Sequence, residues 1–316
     1  MLPVPLVVGR LAPSPTGLLH LGHARSFLLA YWSARRQQGR LVLRLEDLDV
    51  ERSAERYVDA ALRDLEWLGL DWDGAPRRQS AGLERIRGVA TTLFELDRAY
   101  PCTCTRADLR AAVTAPQEGV SELRYSGRCR GRFSSLEAAK AETGIDAALR
   151  FAVPNAPTTV NDAFLGSSDV DVSAECGDFL ILRRDKIPSY QLAVVVDDAA
   201  DGVTEVVRGD DLYSSAARQH LLQCALSYSS PLWLHVPLVV DDQGRRFAKR
   251  TNALSLESLR NSGVDPRSIV GWVARHSGWP TLARATAAEL VGSFDWSRVP
   301  RNRVRFAPDA YATLLP

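Results

Sequence analysis

Along this chain, apolar and polar positions alternate in blocks that read from the start as strand, helix, strand. Residues 4–9 (VPLVVG) and 41–46 (LVLRLE) are short apolar runs with the texture of buried strands. Between them, apolar positions from His20 to about Gln38 recur at helical spacing, and Gly39 supplies a stop. Such a unit predicts a parallel sheet, whose ligands sit at the carboxyl ends of its strands. After Glu51 a polar helix is predicted, with Tyr57, Ala61, Leu65 and Leu68 on its apolar side. A turn at Asp71-Trp72-Asp73-Gly74 and another helix to about Arg98 follow.

From Pro101 to about Gly177 the pattern changes. Cysteine, glycine, proline and arginine concentrate there, and strand-like pieces such as LRFAVP (149–154) replace regular helix, as in an inserted subdomain. Beyond it, DFLILRRD, SYQLAVVVDDAADGVTEVVRG and WLHVPLVVDDQGRR read as buried strands and turns, so the sheet is expected to resume. From Ser255 helices dominate, with Trp272 and Trp279 on apolar faces. The expectation is a doubly wound α/β protein. Its parts are a first catalytic half (1–100), an insertion (101–177), a second catalytic half (178–244) and a loop with a helical region (245–316).

The 316 residues are 46% hydrophobic, enough for one α/β domain with smaller attachments. No apolar segment approaches the roughly 20 residues that span a bilayer, and MLPVPLVVGR lacks the basic leader and cleavage site of a secretory signal. The protein is therefore expected to be cytoplasmic, away from membranes, and monomeric. A net charge of +1 excludes indiscriminate coating of nucleic acid, although Arg-Cys-Arg-Gly-Arg at 128–132 and the arginine-rich 298–305 are local basic patches suited to one RNA. Of 39 Lys plus Arg, only Lys140, Lys186 and Lys249 are lysine. A lysine retained against that bias is a candidate for chemistry, Lys249 above all.

The densest chemical signal is APSPTGLLHLGHARSF, residues 12–27. Pro13 and Pro15 stiffen a turn that opens onto a helix, whose N-terminal N–H groups and dipole favour an anion. His20 and His23, three apart, fall on one helix face and can donate to phosphate oxygens, while Gly22 leaves room for a nucleotide. Five cysteines in a chain of this size do not suggest a disulfide scaffold; Cys102-Thr103-Cys104 with Cys129 downstream suggests zinc, which takes four ligands. Tyr125, Asp108 and Cys176 are all candidates for the fourth.

His20-Leu21-Gly22-His23 resembles the "HIGH" signature of the class I aminoacyl-tRNA synthetases, and GRLAPSPTGLLHLGHARSF resembles its glutamyl form. The similarity continues through LRLEDLDVERS, SYQLAVVVDD, VRGDDLYSSAARQHLL and RRFAKR, and so covers nearly the whole chain. The resemblance implies a Rossmann-type catalytic sheet with an inserted zinc-binding subdomain and a C-terminal helical region that contacts the tRNA stem. It further implies that Arg10 and Ser14 hold the carboxylates of L-glutamate, that Glu46 holds its ammonium, and that Tyr190 and Arg208 complete the pocket. Glutamate brings two negative groups and one positive, for which Arg10, Arg208 and Glu46 are the matching charges. ATP, with its Mg2+, is expected at His20, Gly22, His23 and Lys249. RRFAKR (245–250) resembles the family's "KMSKS" loop, with Lys249 intact, Arg246 for the first lysine, and Ala248 and Arg250 for the serines. The family places a tyrosine four residues before the last cysteine, which selects Tyr125 to join Cys102, Cys104 and Cys129 around a structural zinc.

The chain ends about 65 residues beyond Arg250, where glutamyl-tRNA synthetases continue into an anticodon-binding region. That shortfall resembles the glutamyl-queuosine branch of the family, which lacks an anticodon-binding domain and transfers activated glutamate to queuosine at the wobble position of tRNA(Asp). The anticodon loop of tRNA(Asp) is then the expected partner. A truncated enzyme that charges a tRNA 3′ end, and a non-catalytic RNA- or glutamate-binding paralogue, are the competing readings.

Overall fold

The computed structural model describes residues 6–49, 51–105, 107–108, 124–245, 255–306 and 314. β1 (Val8–Leu11) leads through α1 (Leu21–Arg36) to β2 (Arg40–Leu45), and α2 (Glu55–Trp67), β3 (Arg77–Arg78) and α3 (Leu83–Glu95) follow. Next come β4 (Ala99–Cys102), α4 (Leu136–Thr143), β5 (Ala148–Phe151), β6 (Thr158–Asp162), β7 (Gly166–Val170), α5 (Val172–Glu175) and β8 (Leu180–Leu182). Then α6 (Tyr190–Asp201), β9 (Glu205–Gly209), α7 (Tyr213–Leu226), β10 (Leu232–Val236) and β11 (Val239–Val240) return to the centre. α8 (Leu256–Asn261), α9 (Pro266–Arg275), α10 (Ala287–Val291) and β12 (Val304–Arg305) end it.

β1, β2 and β3 form a parallel sheet, and β9 pairs in parallel with β10. The two sheets meet where the Thr204 N–H donates to the Val8 carbonyl and the Val8 N–H donates to Thr204 Oγ1, both at 2.9 Å. β2 is buried along most of its length, Arg44 included, which is why LVLRL shows no alternation of apolar and polar positions. α1 fills the space above β1 and β9 with Leu21, Ala24, Leu28, Leu29 and Trp32, all fully buried. Gly39 follows α1 for a steric reason: a Cβ there would lie 2.5 Å from the Val7 carbonyl oxygen. The left-handed turn itself is taken by Gln38 (φ 53°).

Two expectations are corrected. Tyr190–Asp201 is a helix, where SYQLAVVVDD reads as strand. Residues 191–198 are all buried, against α3 and α7, so the run carries no polar stripe to reveal a 3.6-residue period. The ends carry the helical signals instead: Ser189 Oγ accepts the Leu192 N–H, and Gly202 takes a left-handed φ of 68°. The second concerns the insertion. The β6–β7 hairpin, within 101–177, joins the edge of the catalytic sheet, with Asp162 opposite Trp233 of β10. β4, β5 and β8 form a separate antiparallel sheet.

The C-terminal helices share one apolar cluster with α1 and β10. Trp32 donates through Nε1 to the Ala287 carbonyl at 2.9 Å, and β12 runs parallel to β11. Among the described residues, no helix is long and apolar enough to cross a membrane.

Candidate active site

Where β1, β2 and β9 end, a cavity of about 890 Å³ opens; Arg10, Ser14, His20, Gly22, His23, Glu46, Tyr190 and Arg208 all line it. Every described residue expected to bind glutamate or ATP therefore meets in one place. Lys249, with Arg246, Ala248 and Arg250, lies outside the described residues. The first described residues after it lie at the site, where Ser255 bridges to His20 and the Leu256 N–H donates to the Leu19 carbonyl at 2.8 Å.

The helix begins at Leu21, one residue after the helical spacing starts, with His20 as its N-cap. His20 Nδ1 accepts the Gly22 N–H, and His23 Nδ1 accepts the His20 N–H, each at 3.1 Å. Two histidines thus perform the reciprocal capping usually done by Ser/Thr with Glu/Gln. With Nδ1 accepting, each neutral ring carries its proton on Nε2, which makes it a donor suited to phosphate oxygens. Burial pushes the His20 pKa down to about 4, so the ring is neutral near pH 7. Gly22 is needed for a closer neighbour than a nucleotide: a Cβ would sit 2.9 Å from His20 Cε1.

On the opposite wall, Arg10 is 5% exposed, and among the described residues its Nε has no hydrogen-bond partner. Its Nη1 donates to the Val207 carbonyl at 3.2 Å, and Asp198 Oδ1 lies 3.8 Å from Nε. A buried guanidinium this sparsely bonded is poised for an anion. Glu46 accepts from Ser14 Oγ at 3.2 Å and from Arg44 at 3.5 Å. Burial raises its pKa, opposed by the Arg44 and Arg10 charges. Tyr190 keeps 36% of its surface exposed at the N-terminus of α6. Arg208, at the end of β9, is 5% exposed and bonds His235 and Gln219.

The cysteines gather at the end of β4. The Sγ atoms of Cys102, Cys104 and Cys129 lie within 4.8 Å of one another, Cys104 and Cys129 at 3.4 Å. Tyr125 Oη sits 3.4 Å from Cys102 Sγ and 3.8 Å from Cys104 Sγ, and accepts the Cys129 N–H at 2.9 Å. Tetrahedral zinc with Zn–S bonds of about 2.3 Å wants sulfurs roughly 3.8 Å apart, so three thiols and a phenol oxygen at these spacings fit it. Asp108 instead accepts from Thr105 N and Oγ1, and Cys176 Sγ turns to the Gly177 carbonyl. Gly177 allows the approach that seats Tyr125, since a Cβ there would lie 2.4 Å from the Tyr125 carbonyl oxygen.

The sequence did not single out His235 and Gln219, which bond Arg208, or Asp162, which bonds His235. The available signal was His235 itself, a lone histidine in an apolar strand (WLHVP).

Comparison with known proteins gives a consistent set of likenesses. A family model described as "tRNA synthetases class I (E and Q), catalytic domain" matches residues 6–309. The chain is 41% identical over 319 residues to the glutamyl-Q tRNA(Asp) synthetase of Symbiobacterium thermophilum, covering 98% of each. It is 40% identical over 309 residues to glutamate–tRNA ligase 1 of Methylobacterium radiotolerans, covering 95% of this chain and 62% of that protein. Among solved structures, a glutamate tRNA ligase from Elizabethkingia meningosepticum in complex with its amino acid matches with a TM-score of 0.81 and 25% identity, over 96% of this chain and 68% of that one.

Proposed function

The chain belongs to the class I synthetase family whose catalytic domain serves glutamate and glutamine, and on that premise we propose that it activates L-glutamate with ATP and transfers the glutamyl group to queuosine at the wobble position of tRNA(Asp). The observation that carries this reading is the convergence of Arg10, Glu46 and Arg208 with His20 and His23 on one cavity. Relatives named for the queuosine reaction are matched over nearly their full length, which supports the choice of acceptor.

Arg10, Ser14 and Arg208 hold the carboxylates of glutamate, Glu46 holds its ammonium, and Tyr190 closes the pocket over the side chain. His20 and His23 donate through Nε2 to the phosphates of ATP, which brings its own Mg2+. Lys249 acts on the same phosphates; its covalent tether of six residues keeps it within about 20 Å of Ser255. A glutamate carboxylate oxygen attacks the α-phosphorus, and pyrophosphate leaves with its charge met by these donors and the dipole of α1. The acceptor hydroxyl then attacks the carbonyl of the adenylate, giving the ester, AMP and a proton.

Residues 1–100 and 178–244, with the β6–β7 hairpin, make the catalytic body. The remainder of 101–177 is the insertion, where Cys102, Cys104, Tyr125 and Cys129 hold one structural zinc. Residues 245–316 supply the lysine loop and a helical surface for the tRNA(Asp) anticodon stem and loop.

The test is glutamate-dependent exchange of labelled pyrophosphate into ATP, with and without tRNA, followed by transfer of labelled glutamate to tRNA(Asp) that carries or lacks queuosine. Exchange without tRNA and queuosine-dependent labelling are expected. Exchange only with tRNA, and label on the 3′ end, would move the protein to the glutamate–tRNA ligases; no exchange at all would make it a binding paralogue.

A further inference from the structure

Arg208 is anchored by three acceptors, none of them a carboxylate. Its Nε–H donates to His235 Nε2 at 2.9 Å, Nη1 to Gln219 Oε1 at 2.9 Å and Nη2 to the Leu212 carbonyl at 3.3 Å. The guanidinium also lies 4.7 Å from the centre of the Trp233 ring. A guanidinium carries five N–H donors. With three engaged, two remain, one on each terminal nitrogen, and a carboxylate can accept from both.

Arg44, on β2 and two strands away, shows the alternative. It is bound by Asp198 at 2.7 Å, Asp201 at 3.1 Å and Glu46 at 3.5 Å, and its charge is consumed within the protein. Among the described residues, no carboxylate forms an ion pair with Arg208.

The neutral anchor is itself fixed. His235 is fully buried, and because Nε2 accepts from Arg208 its proton must sit on Nδ1, 2.5 Å from Asp162 Oδ2. The same Oδ2 takes the His235 N–H at 3.1 Å, while Oδ1 takes the Phe164 and Leu165 N–H groups at 2.8 and 2.6 Å. Every donor around Asp162 points inward, so the carboxylate only accepts and the tautomer of His235 follows from it. Burial holds the pKa of His235 below its ordinary value.

We propose that Asp162 and His235 are positioning residues for glutamate recognition, which hold Arg208 through a neutral acceptor so that its whole charge and two N–H groups remain for a substrate carboxylate. This rests on the reading that Arg208 binds such a carboxylate. A residue of the β6–β7 hairpin thereby sets the geometry of a side chain on β9 across β10.

Three substitutions test it by pyrophosphate exchange. In Asp162→Asn the amide oxygen keeps Phe164 and Leu165, its NH2 meets the imidazole, and the His235 proton is driven to Nε2 against the Arg208 Nε–H. The KM for glutamate should rise about 10- to 100-fold, with kcat and the KM for ATP within about twofold. His235→Leu should do the same, and His235→Gln, whose amide oxygen can accept from Arg208, should recover most of the loss. If Asp162→Asn fails to fold, the Leu and Gln pair carries the test alone. Arg208→Gln is the control for the underlying reading: an unchanged KM for glutamate there overturns that reading, and the inference with it. A raised KM in Arg208→Gln with an unchanged KM in Asp162→Asn and His235→Leu, or a loss confined to kcat, overturns the inference alone.

Discussion

His20 and His23 cap one helix reciprocally, each Nδ1 accepting a backbone N–H at 3.1 Å, with their ring centroids 3.8 Å apart. The two rings are thereby committed to one tautomer before any ligand arrives. With Nδ1 accepting, each neutral ring carries its N–H on Nε2 beside the positive end of α1, the arrangement the proposed contact with phosphate calls for.

Stability should record that neutrality. His20 titrates near 4 when folded and near 6.5 when unfolded, so the unfolded chain binds the extra proton between those values. Stability is complete above about pH 6.5 and falls as pH drops toward 4, by roughly 3 kcal/mol at most from this group. Urea midpoints measured from pH 4 to pH 8 should show that slope, and His20→Asn, which can still cap the helix, should flatten it.

Gly22→Ala places a methyl 2.9 Å from His20 Cε1. Relieving the overlap must move the ring proposed to donate its Nε2–H to the phosphates. Overpacking of this kind costs about 1–3 kcal/mol, and pyrophosphate exchange should fall about 10- to 100-fold, with glutamate binding by calorimetry unchanged.

Glu46→Gln removes a carboxylate that lines the cavity beside Ser14 and Arg10. Loss of a charged hydrogen bond to the substrate ammonium should raise the KM for glutamate about 10- to 100-fold. A KM unchanged within twofold would remove Glu46 from the pocket.

The cysteine cluster is read by elemental analysis. One zinc per chain is expected, lost in Cys129→Ser and weakened in Tyr125→Phe, whose ring also stacks 3.9 Å beneath Arg150. Chelation should lower the melting temperature while exchange at low temperature persists, because the cluster lies outside the residues lining the cavity.

Trp32→Ala should cost about 3–5 kcal/mol. The indole is fully buried, packs 5.3 Å from Trp279 and 6.0 Å from Phe294, and donates to Ala287, so it ties the C-terminal helices to α1. A single cooperative melt, lowered in the variant, is the expected result.

Local patterning by itself determined much of this protein. The apolar runs of β1 and β2, the helical spacing between them and the strand–helix–strand order dictated a parallel sheet, because those periods follow from backbone geometry. Cys102, Cys104 and Cys129 announced a cluster of thiols through their close spacing, and the structure brings the three together. The residues that line the cavity were legible through their motifs. Tertiary structure decided the rest. SYQLAVVVDD is a helix because burial on every side erased its stripe, and no period survives to separate a buried helix from a buried strand. The β6–β7 hairpin belongs to the catalytic sheet because Asp162 pairs across to β10, a contact between residues 73 apart that no local pattern encodes. For the same reason the neutral hold on Arg208 was invisible in the sequence. Asp162, His235 and Arg208 are ordinary residues of three separate strands, and only the packing of those strands brings a carboxylate, an imidazole and a guanidinium into line.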